Sequence, residues 1–293
     1  MKKKHKLLWI LTPYLFLLPN SLIFIVFIVV PALYGFYYSF TNYDGLGTNK
    51  WIGLNNYIKI FGDSEFWSTM LKTGGYALIV VPLIYVLALG IAMLLIKEIK
   101  ARGFFRAAIY WPTMISFIVV GITWKWIFGD TAGIVNYLLN SLGKEAVPWM
   151  SDAFYANMIV VIATLWSRVG FFMVIFIAGL QSIPDQYYEA AKIDGALKPQ
   201  IFWYITLPLL QPTSVLVVML GFIDSFKAYP LIFSLTGGGP GKATTFLVQY
   251  IYKYGFEKNK LGYASAMSVI LFLIIAVATA IQFKMNRKGE ELS

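Results

Sequence analysis

Six apolar stretches, each about 20 residues or longer, run through this 293-residue chain and limit what it can fold into. An α-helix rises about 1.5 Å per residue, so about 20 residues cross the roughly 30 Å hydrocarbon core of a bilayer. The stretches lie near 14–40, 74–96, 107–128, 155–180, 213–235 and 263–283. No stretch of about 100 residues lacks such a run. We therefore expect an all-α membrane protein with six transmembrane helices in a single domain, residues 1–293.

The composition agrees with a membrane protein and argues against several other classes. Hydrophobic residues make up 59% of the chain and charged residues 13%, whereas soluble domains carry about 25% charged residues. The chain has no cysteine and one histidine, His5, so we expect no disulfide framework, no metal site and no catalytic residue. The net charge of +10 fits lysines and arginines that flank spans and meet membrane lipid, and nucleic-acid binding is not expected.

The N-terminal segment has basic residues before an apolar run, as a signal peptide does. The apolar character continues past Pro19 to about Phe40, beyond the roughly 7–15 residues of a signal peptide's apolar region, so a retained first span with nothing cleaved is expected. Pro13, Pro19 and Pro31 interrupt this stretch, which predicts a separate interfacial piece before Pro19.

The distribution of lysine and arginine predicts the orientation in the membrane. With the N-terminus inside, the cytoplasmic side carries Lys2, Lys3, Lys4, Lys6, Lys97, Lys100, Arg102, Arg106, Lys192, Lys198, Lys284, Arg287 and Lys288. The other side carries Lys50, Lys59, Lys72, Lys144, Lys242, Lys253, Lys258 and Lys260. This excess favours both termini in the cytoplasm. The last external loop, with four lysines, runs against the rule.

The stretch IPDQYYEAAKIDGALKPQIFWYITLPLL, residues 183–210, interrupts the apolar pattern between the fourth and fifth spans. Ser182, followed by a proline and an acid, predicts a helix start, and Gly195 predicts its end. A second short helix is expected from Lys198 until Pro208 breaks it before the fifth span.

The first of these helices has the features of a docking element. Ala190 and Ala191 would let a facing surface approach the backbone, Glu189 offers a carboxylate, and Gly195 allows a tight turn. From the residues alone, an ordinary surface helix pair that joins two spans is equally favoured.

The spacing of these residues resembles the EAA signature of the permease subunits of binding-protein-dependent, ATP-driven importers. The matching positions are Glu189, Ala190, Ala191, Gly195, Ile205, Leu207 and Pro208. The stretches AGLQSIP, ITLPLLQP, LTGGGP, WIGLNNY and GFFRAAIYWP resemble the sugar-permease branch of this family. The resemblance implies the type I ABC importer permease fold. It also implies a cytoplasmic coupling loop at 183–210 in which these positions and Asp194 contact the ATPase.

The same resemblance implies a set of partners and a location. We expect a second homologous permease in a heterodimer, a cytoplasmic ATPase dimer that uses ATP and Mg, and an extracytoplasmic binding protein that delivers a sugar. The chain itself would be a transport subunit of a bacterial plasma membrane, with no enzyme activity and no bound cofactor. The stretch TGGGPGKATT does not form a phosphate loop, because Thr236 and Ala243 stand where that motif needs glycine and serine or threonine.

Charged residues within the spans need an explanation, because a bilayer disfavours them. Lys125 is expected to reach the membrane surface between two tryptophans, and Asp224 and Lys227 could neutralise each other at a spacing of three residues. Arg168 lies at the middle of the fourth span with no acid nearby in sequence, so it must face the interior.

Two helix faces combine polar, small and aromatic residues, as a sugar site requires. They are Thr164, Ser167, Arg168 and Phe171 on the fourth span, and Gly221, Asp224, Ser225 and Ala228 on the fifth. Lining of a sugar pathway and tight helix packing explain these faces equally well.

Two other transport functions stay open from the sequence. An ion-coupled secondary transporter should show internal repeats, and none is found. An ATP-driven importer of another solute, such as glycerol phosphate, keeps the mechanism, and Arg168 is the feature that favours an anion.

Overall fold

The structure is a computed structural model that describes residues 2–47 and 49–290, with side chains for residues 12–47 and 49–284. The side chains of Lys2, Lys3, Lys4, His5, Lys6, Arg287 and Lys288 lie outside the described residues. The described part is mostly helical. Its extended pairing is one isolated bridge between Thr41 and Trp51.

The helices follow one another with short connections. They are α1 (Lys2–Phe24), α2 (Val30–Ser39), α3 (Asn55–Phe61), α4 (Ser64–Leu95), α5 (Arg102–Tyr110), α6 (Phe117–Ile127), α7 (Ile134–Ser141), α8 (Ala153–Gln181), α9 (Asp185–Ile193), α10 (Lys198–Ile201), α11 (Leu207–Leu209), α12 (Gln211–Phe226), α13 (Pro230–Thr236), α14 (Leu247–Tyr252) and α15 (Leu261–Glu290). Wider π-helical turns occupy Ile25–Val29, Phe202–Thr206 and Lys253–Glu257, and a 3-10 turn occupies Trp111–Met114.

Among the described residues, four helices are long and apolar enough to cross a membrane, and up to six spans result if two bent helix pairs count as one span each. The single helices are Thr12–Ser39, Ser64–Leu95, Ala153–Gln181 and Leu261–Lys284. The bent pairs are Arg102–Met114 with Phe117–Ile127, at 97°, and Lys198–Leu209 with Gln211–Phe226, at 69°. The structure therefore reaches the expected six spans only if each bent pair is counted as one span.

Two predicted spans differ from the structure in shape. The stretch 107–128 is broken near Ile115, whose ψ of 136° is extended, so one straight span is wrong there. The stretch 213–235 is also divided, because α12 ends at Phe226 and α13 begins at Pro230. Pro112 lies at the start of the 3-10 turn before the first break, and Pro230 at the start of α13 after the second; at either position the missing N–H costs nothing.

The prolines of the first span do not produce the predicted separate piece, because α1 continues through Pro13 and Pro19. The irregularity comes later, as the π-helical turn Ile25–Val29 just before Pro31. A proline crowds the carbonyl four residues earlier and leaves it without a donor, and a π-helical turn accommodates both effects. The turn Phe202–Thr206 precedes Pro208 in the same way.

The chain forms two compact units, Met1–Ser64 with Ile251–Ile274 and Glu65–Tyr250 with Ile275–Ser293. The second unit contains a core in which buried residues of α4, such as Ile84, and of α8, such as Phe172 and Phe176, pack together. Close helix packing depends on Gly170, where a Cβ would lie 2.2 Å from the Ile109 carbonyl oxygen. Small residues at helix contacts are typical of membrane bundles.

The first unit holds the loop between α2 and α3 in a fixed conformation. The buried side chain of Asn56 donates from Nδ2 to the carbonyl oxygens of Ser39, at 2.9 Å, and Thr41, at 2.8 Å. The backbone N–H of Gly262, at the start of α15, donates to the carbonyl of Tyr43 at 2.8 Å. Buried polar contacts of this kind make the loop part of the folded unit.

Candidate functional site

A cavity of about 260 Å³ lies in the second unit, between α4, α6, α8, α12 and α13. Its lining residues are Tyr76, Val80, Ile84, Phe117, Thr164, Arg168, Phe172, Gly221, Asp224, Ser225, Lys227, Ala228, Tyr229, Pro230, Leu231 and Ile232. The lining combines aromatic rings and aliphatic side chains with a few polar groups, which is typical of small-ligand sites. Such sites usually measure about 300–1,000 Å³, so this chain supplies a small site by itself.

An ion pair between Arg168 of α8 and Asp224 of α12 connects two of the cavity helices. The two side chains keep 21% and 35% of their surface exposed, so the pair is only partly removed from solvent. The expected direct pairing of Asp224 with Lys227 is therefore not what the structure shows. Lys227 is the exposed residue just after the end of α12, and Asp224 instead pairs across the helix contact.

Aromatic rings surround the guanidinium of Arg168. Its Cζ lies 4.9 Å from the ring centroid of Phe117 and 5.8 Å from that of Phe171. A ring face attracts a cation within about 6 Å. One helical turn from Arg168 on α8, the hydroxyl of Thr164 lies 2.8 Å from the hydroxyl of Tyr76. The site thus offers hydroxyl groups, a carboxylate and a guanidinium beside ring surfaces.

Six of the eight predicted pathway residues line this cavity, and Ser167 and Phe171 do not. Ser167 is fully buried, and its hydroxyl donates to the Thr164 carbonyl at 3.0 Å. Phe171 lies beside Arg168, while its neighbour Phe172 reaches the cavity. For these two positions the packing interpretation holds, because a helix face defined by spacing is wider than a narrow cavity.

Sequence reasoning missed four aromatic residues of the cavity, namely Tyr76, Phe117, Phe172 and Tyr229. Tyr76 could have been noticed, because a tyrosine within an apolar span needs a partner for its hydroxyl. Phe117 and Tyr229 follow breaks in the helices that the apolar pattern does not reveal. Lys125, in the last turn of α6, is exposed between Trp124 and Trp126, as expected for a residue near a span end.

The segment 183–210 forms the two short helical pieces that its sequence predicts. The first is α9, which ends in a Schellman motif: the N–H of Ala196 donates to the Ala191 carbonyl at 2.9 Å, and the N–H of Gly195 to the Lys192 carbonyl at 3.1 Å. Gly195 has a φ of 74°, the left-handed conformation that favours glycine.

The start of α9 differs from the prediction. The residue before its first turn is Pro184, with no side-chain cap, while Ser182 ends α8 and its hydroxyl donates to the Gly179 carbonyl at 2.7 Å. The Ser182 hydroxyl therefore bonds to the preceding helix, because the Gly179 carbonyl lies within reach one turn back in α8.

The segment presents an exposed surface and an anchored one. Glu189 and Ala190 are exposed on α9, and Ile193 and Leu197 are 87% and 67% exposed. Ala191 is buried within the chain, so the expectation that both alanines face a partner is wrong for this residue. The anchored surface reaches the core through Ile183, Tyr188, Phe202, Leu207 and Leu210.

The other predicted coupling residues lie along the same segment. Asp194 ends α9 and is exposed, Ile205 lies in the π-helical turn and is half-buried, and Pro208 lies in α11 and is exposed. Among the described residues, no group of three or more histidine, cysteine, aspartate or glutamate side chains could hold a metal ion.

Residues 84–288 match the family model described as the binding-protein-dependent transport system inner membrane component. The chain belongs to this family. The matched range contains the whole coupling segment 183–210 and every lining residue of the cavity except Tyr76 and Val80.

Two curated relatives cover nearly the whole permease. It is 35% identical to the probable starch degradation products transport system permease protein AmyD of Thermoanaerobacterium thermosulfurigenes, over 94% of each chain. It is 34% identical to the sn-glycerol-3-phosphate transport system permease protein UgpA of Brucella abortus, also over 94% of each chain. The permease is thus similar to transporters of more than one kind of solute.

A solved structure has the same fold as the permease. A bacterial ABC transporter involved in the import of the acidic polysaccharide alginate matches with a TM-score of 0.84, covering 98% of each chain at 22% sequence identity. The predicted fold class, an ABC importer permease, is confirmed. A component of a binding-protein-dependent system is also not a self-sufficient carrier, which removes the ion-coupled secondary transporter.

Proposed function

We propose that the permease forms half of the pathway by which a sugar or oligosaccharide enters a bacterial cell. The observation that carries this proposal is the cavity around Arg168 and Asp224. A sugar hydroxyl both donates and accepts hydrogen bonds, so it can meet a guanidinium and a carboxylate at one place. The rings of Phe117 and Tyr229 suit the C–H face of a sugar ring.

A neutral solute is favoured over an anion, because Asp224 already balances the charge of Arg168. An anion would have to displace this carboxylate or approach Lys227, which is exposed at the cavity edge. Glycerol phosphate is the second candidate, supported by Lys227 and by the similarity to UgpA. Charge-assisted contacts would hold its phosphate.

The complete transporter, in this proposal, contains four further chains. A second homologous permease pairs with this one in a heterodimer, and an extracytoplasmic binding protein delivers the sugar. A cytoplasmic ATPase dimer binds ATP and Mg, and the permease itself binds no cofactor. The residues that meet the ATPase are Glu189, Ala190, Asp194 and Gly195, because they form the exposed end of α9.

Both termini of the permease lie in the cytoplasm of the cell, in this proposal, which places the segment 183–210 on the ATPase side. The native chain has no cysteine, so single cysteines at exposed positions report sidedness directly. Cysteines at Asn55 and Lys144 should react with an impermeant thiol reagent in intact cells. A cysteine at Lys198 should react only after the membrane is opened, and labelling of this position in intact cells would reverse the orientation.

The function is tested by reconstituting the permease with its genomic neighbours in proteoliposomes. We expect uptake of a labelled neutral oligosaccharide that needs ATP and the binding protein, with glycerol phosphate failing to compete. The permease alone should give no uptake under a proton or sodium gradient. ATP-dependent uptake of glycerol phosphate, with no sugar uptake, would select the second candidate.

The coupling role is tested at Gly195. A β-branched residue in the left-handed region costs about 1–2 kcal/mol locally, and no atom lies within 4 Å of an added Cβ in the free permease. Gly195→Val should therefore leave the permeases paired while ATP hydrolysis stops responding to sugar and binding protein. Glu189→Ala should do so more mildly, because it removes one charge-assisted contact.

Gly143 provides a matched control, since its φ is 72° and an added Cβ would also meet open space. Gly143→Val should cost the same local strain and leave the stimulation of ATP hydrolysis unchanged. Equal loss of stimulation in both variants would show that strain, and not contact with the ATPase, explains the effect.

A further inference from the structure

Lysines near the start of the last span are too numerous for an external loop. Lys253, Lys258 and Lys260 lie just before α15, on the side where the orientation proposed above places the cell exterior. Lysine is normally depleted in short loops on that side. The excess therefore needs a reason other than orientation in the membrane.

The structure places two of these lysines at a cavity of about 550 Å³ in the first unit. We call it the lysine cavity, and it is lined by Asn42, Tyr43, Asp44, Ile52, Asn56, Lys59, Tyr254, Lys258, Asn259, Lys260 and Tyr263. Three stretches of chain contribute to it: the loop after α2, the helix α3, and the stretch from Tyr254 in the π-helical turn to Tyr263 in the first turn of α15. All three lie between spans or at the end of a span, on the side that the proposed orientation places outside the cell.

The charges of the lysine cavity are positive and largely unpaired. Within the described part of the chain, Lys59, Lys258 and Lys260 form no ion pair with a carboxylate. The Lys258 Nζ lies 3.9 Å from the ring centroid of Tyr254, which fixes this cation over a ring face. Lys59 and Lys260 are exposed.

Asp44, the acid in the lining, is already engaged. Its Oδ1 accepts the backbone N–H groups of Leu46, at 3.0 Å, and Gly47, at 2.8 Å. These hydrogen bonds, that of Leu46 first, lower the pKa of the Asp44 carboxyl. The carboxylate therefore stays ionised and stabilises its own turn, and the lining holds three lysines against this one carboxylate.

The walls of the lysine cavity are fixed by hydrogen bonds. Asn56 holds the loop after α2, as described above, and the Tyr263 hydroxyl donates to Asp63 at 3.0 Å. Asn259 has a φ of 51°, a left-handed conformation between the two lysines at the turn. The cations are thus presented on a formed surface, which lowers the ordering cost of binding a partner.

We propose that the lysine cavity is the docking site for an acidic segment of the extracytoplasmic binding protein. This inference rests on the proposed function and orientation. The family requires such a partner, and three unpaired cations around a concave surface complement a protruding aspartate or glutamate. Complementary charge at an interface speeds association and fixes its register.

The test measures ATP hydrolysis of the reconstituted transporter as the concentration of sugar-loaded binding protein is varied. The test variant is Lys258→Glu/Lys260→Glu. Its matched control is Lys253→Glu/Lys144→Glu, which changes the same charge on the same side of the membrane but outside the cavity lining. Assembly of each complex is checked by size-exclusion chromatography.

We expect the half-maximal concentration of binding protein to rise about tenfold or more in the test variant and less than about twofold in the control. Raising the salt concentration should raise the half-maximal concentration of the wild type towards that of the test variant, because salt screens exposed charges. Changing single acidic residues of the binding protein to lysine should identify one that restores the affinity of the test variant.

Equal half-maximal concentrations for the wild type and both variants would overturn the docking site while leaving the proposed function intact. A shift that occurs only in nanodiscs of anionic lipid, and not in zwitterionic ones, would assign the lysines to lipid headgroups and also overturn it. A wild-type complex that no loaded binding protein stimulates would overturn the proposed function, and the docking site with it.

Discussion

Replacing Asp224 with asparagine tests the ion pair that connects α8 and α12. Removing one member of a buried pair costs about 3–5 kcal/mol, whereas an exposed pair contributes about 0–1 kcal/mol. Arg168 and Asp224 are 21% and 35% exposed, so we expect a loss of about 1–3 kcal/mol. In the variant, the ring of Phe117, 4.9 Å from the guanidinium, still attracts the Arg168 cation and limits the loss.

The assay is thermal unfolding of the purified complex in detergent. One kcal/mol shifts the midpoint by about 2–4 °C for domains of about 150–250 residues, so Asp224→Asn should lower it by about 2 °C for this slightly longer chain. The double variant Arg168→Gln/Asp224→Asn should lose less than the sum of the single losses, by about 1–2 kcal/mol.

The control is the second ion pair within the described residues, Lys242 with Glu65 at 2.7 Å. The Lys242 side chain is 59% exposed, and Lys242→Gln should cost less than about 1 kcal/mol. If the Arg168→Gln and Asp224→Asn losses add without coupling, or if neither exceeds the Lys242→Gln loss, the pair does not connect the helices and the reasoning is refuted.

Two further predictions compare matched pairs of substitutions. Gly170→Ala should reduce the amount of assembled complex, because an added Cβ would lie 2.2 Å from the Ile109 carbonyl oxygen, while Gly90→Ala in α4, with open space at its Cβ, should not. Equal yields would contradict the close contact. Tyr76→Phe should lower sugar uptake at unchanged assembly more than Tyr85→Phe, since both hydroxyls bond at 2.8 Å across helices but Tyr76 alone lines the cavity. Equal uptake would exclude a pathway role for the Tyr76 hydroxyl.

Apolar run length predicted where the chain can cross a membrane, but not the path within each crossing. Hydropathy averages over many residues, so a single extended residue such as Ile115 leaves it unchanged. Beyond this break α6 packs against α13, with Gly121 so close that a Cβ would lie 2.6 Å from the Leu231 carbonyl oxygen. Contacts of this kind are set by the tertiary structure, over a separation of more than 100 residues.

The polar helix faces could be predicted because residues three and four apart share a face. The partner of Asp224 could not, since the nearest cation in sequence is Lys227 and the true partner is 56 residues away. Proximity along a helix gives about 0.2–0.5 kcal/mol per charge pair. The pairing of Asp224 with a cation on a neighbouring helix is favoured over this small gain, because Arg168 would otherwise be an unpaired charge at the centre of a span.

The course of the chain connects the candidate cavity with the candidate coupling segment. From Arg168, helix α8 continues for about 20 Å along its axis to its end at Gln181. The segment 183–210 follows directly, and α12 then leads back to Asp224. At the segment end the two helices are in close contact, because a Cβ on Gly179 would lie 2.3 Å from the Thr213 hydroxyl. At the cavity end they are joined by the ion pair. Any displacement of the segment therefore acts on two helices fixed to each other at both ends, so Asp224→Asn should weaken coupling as well as stability, and Lys242→Gln should affect neither.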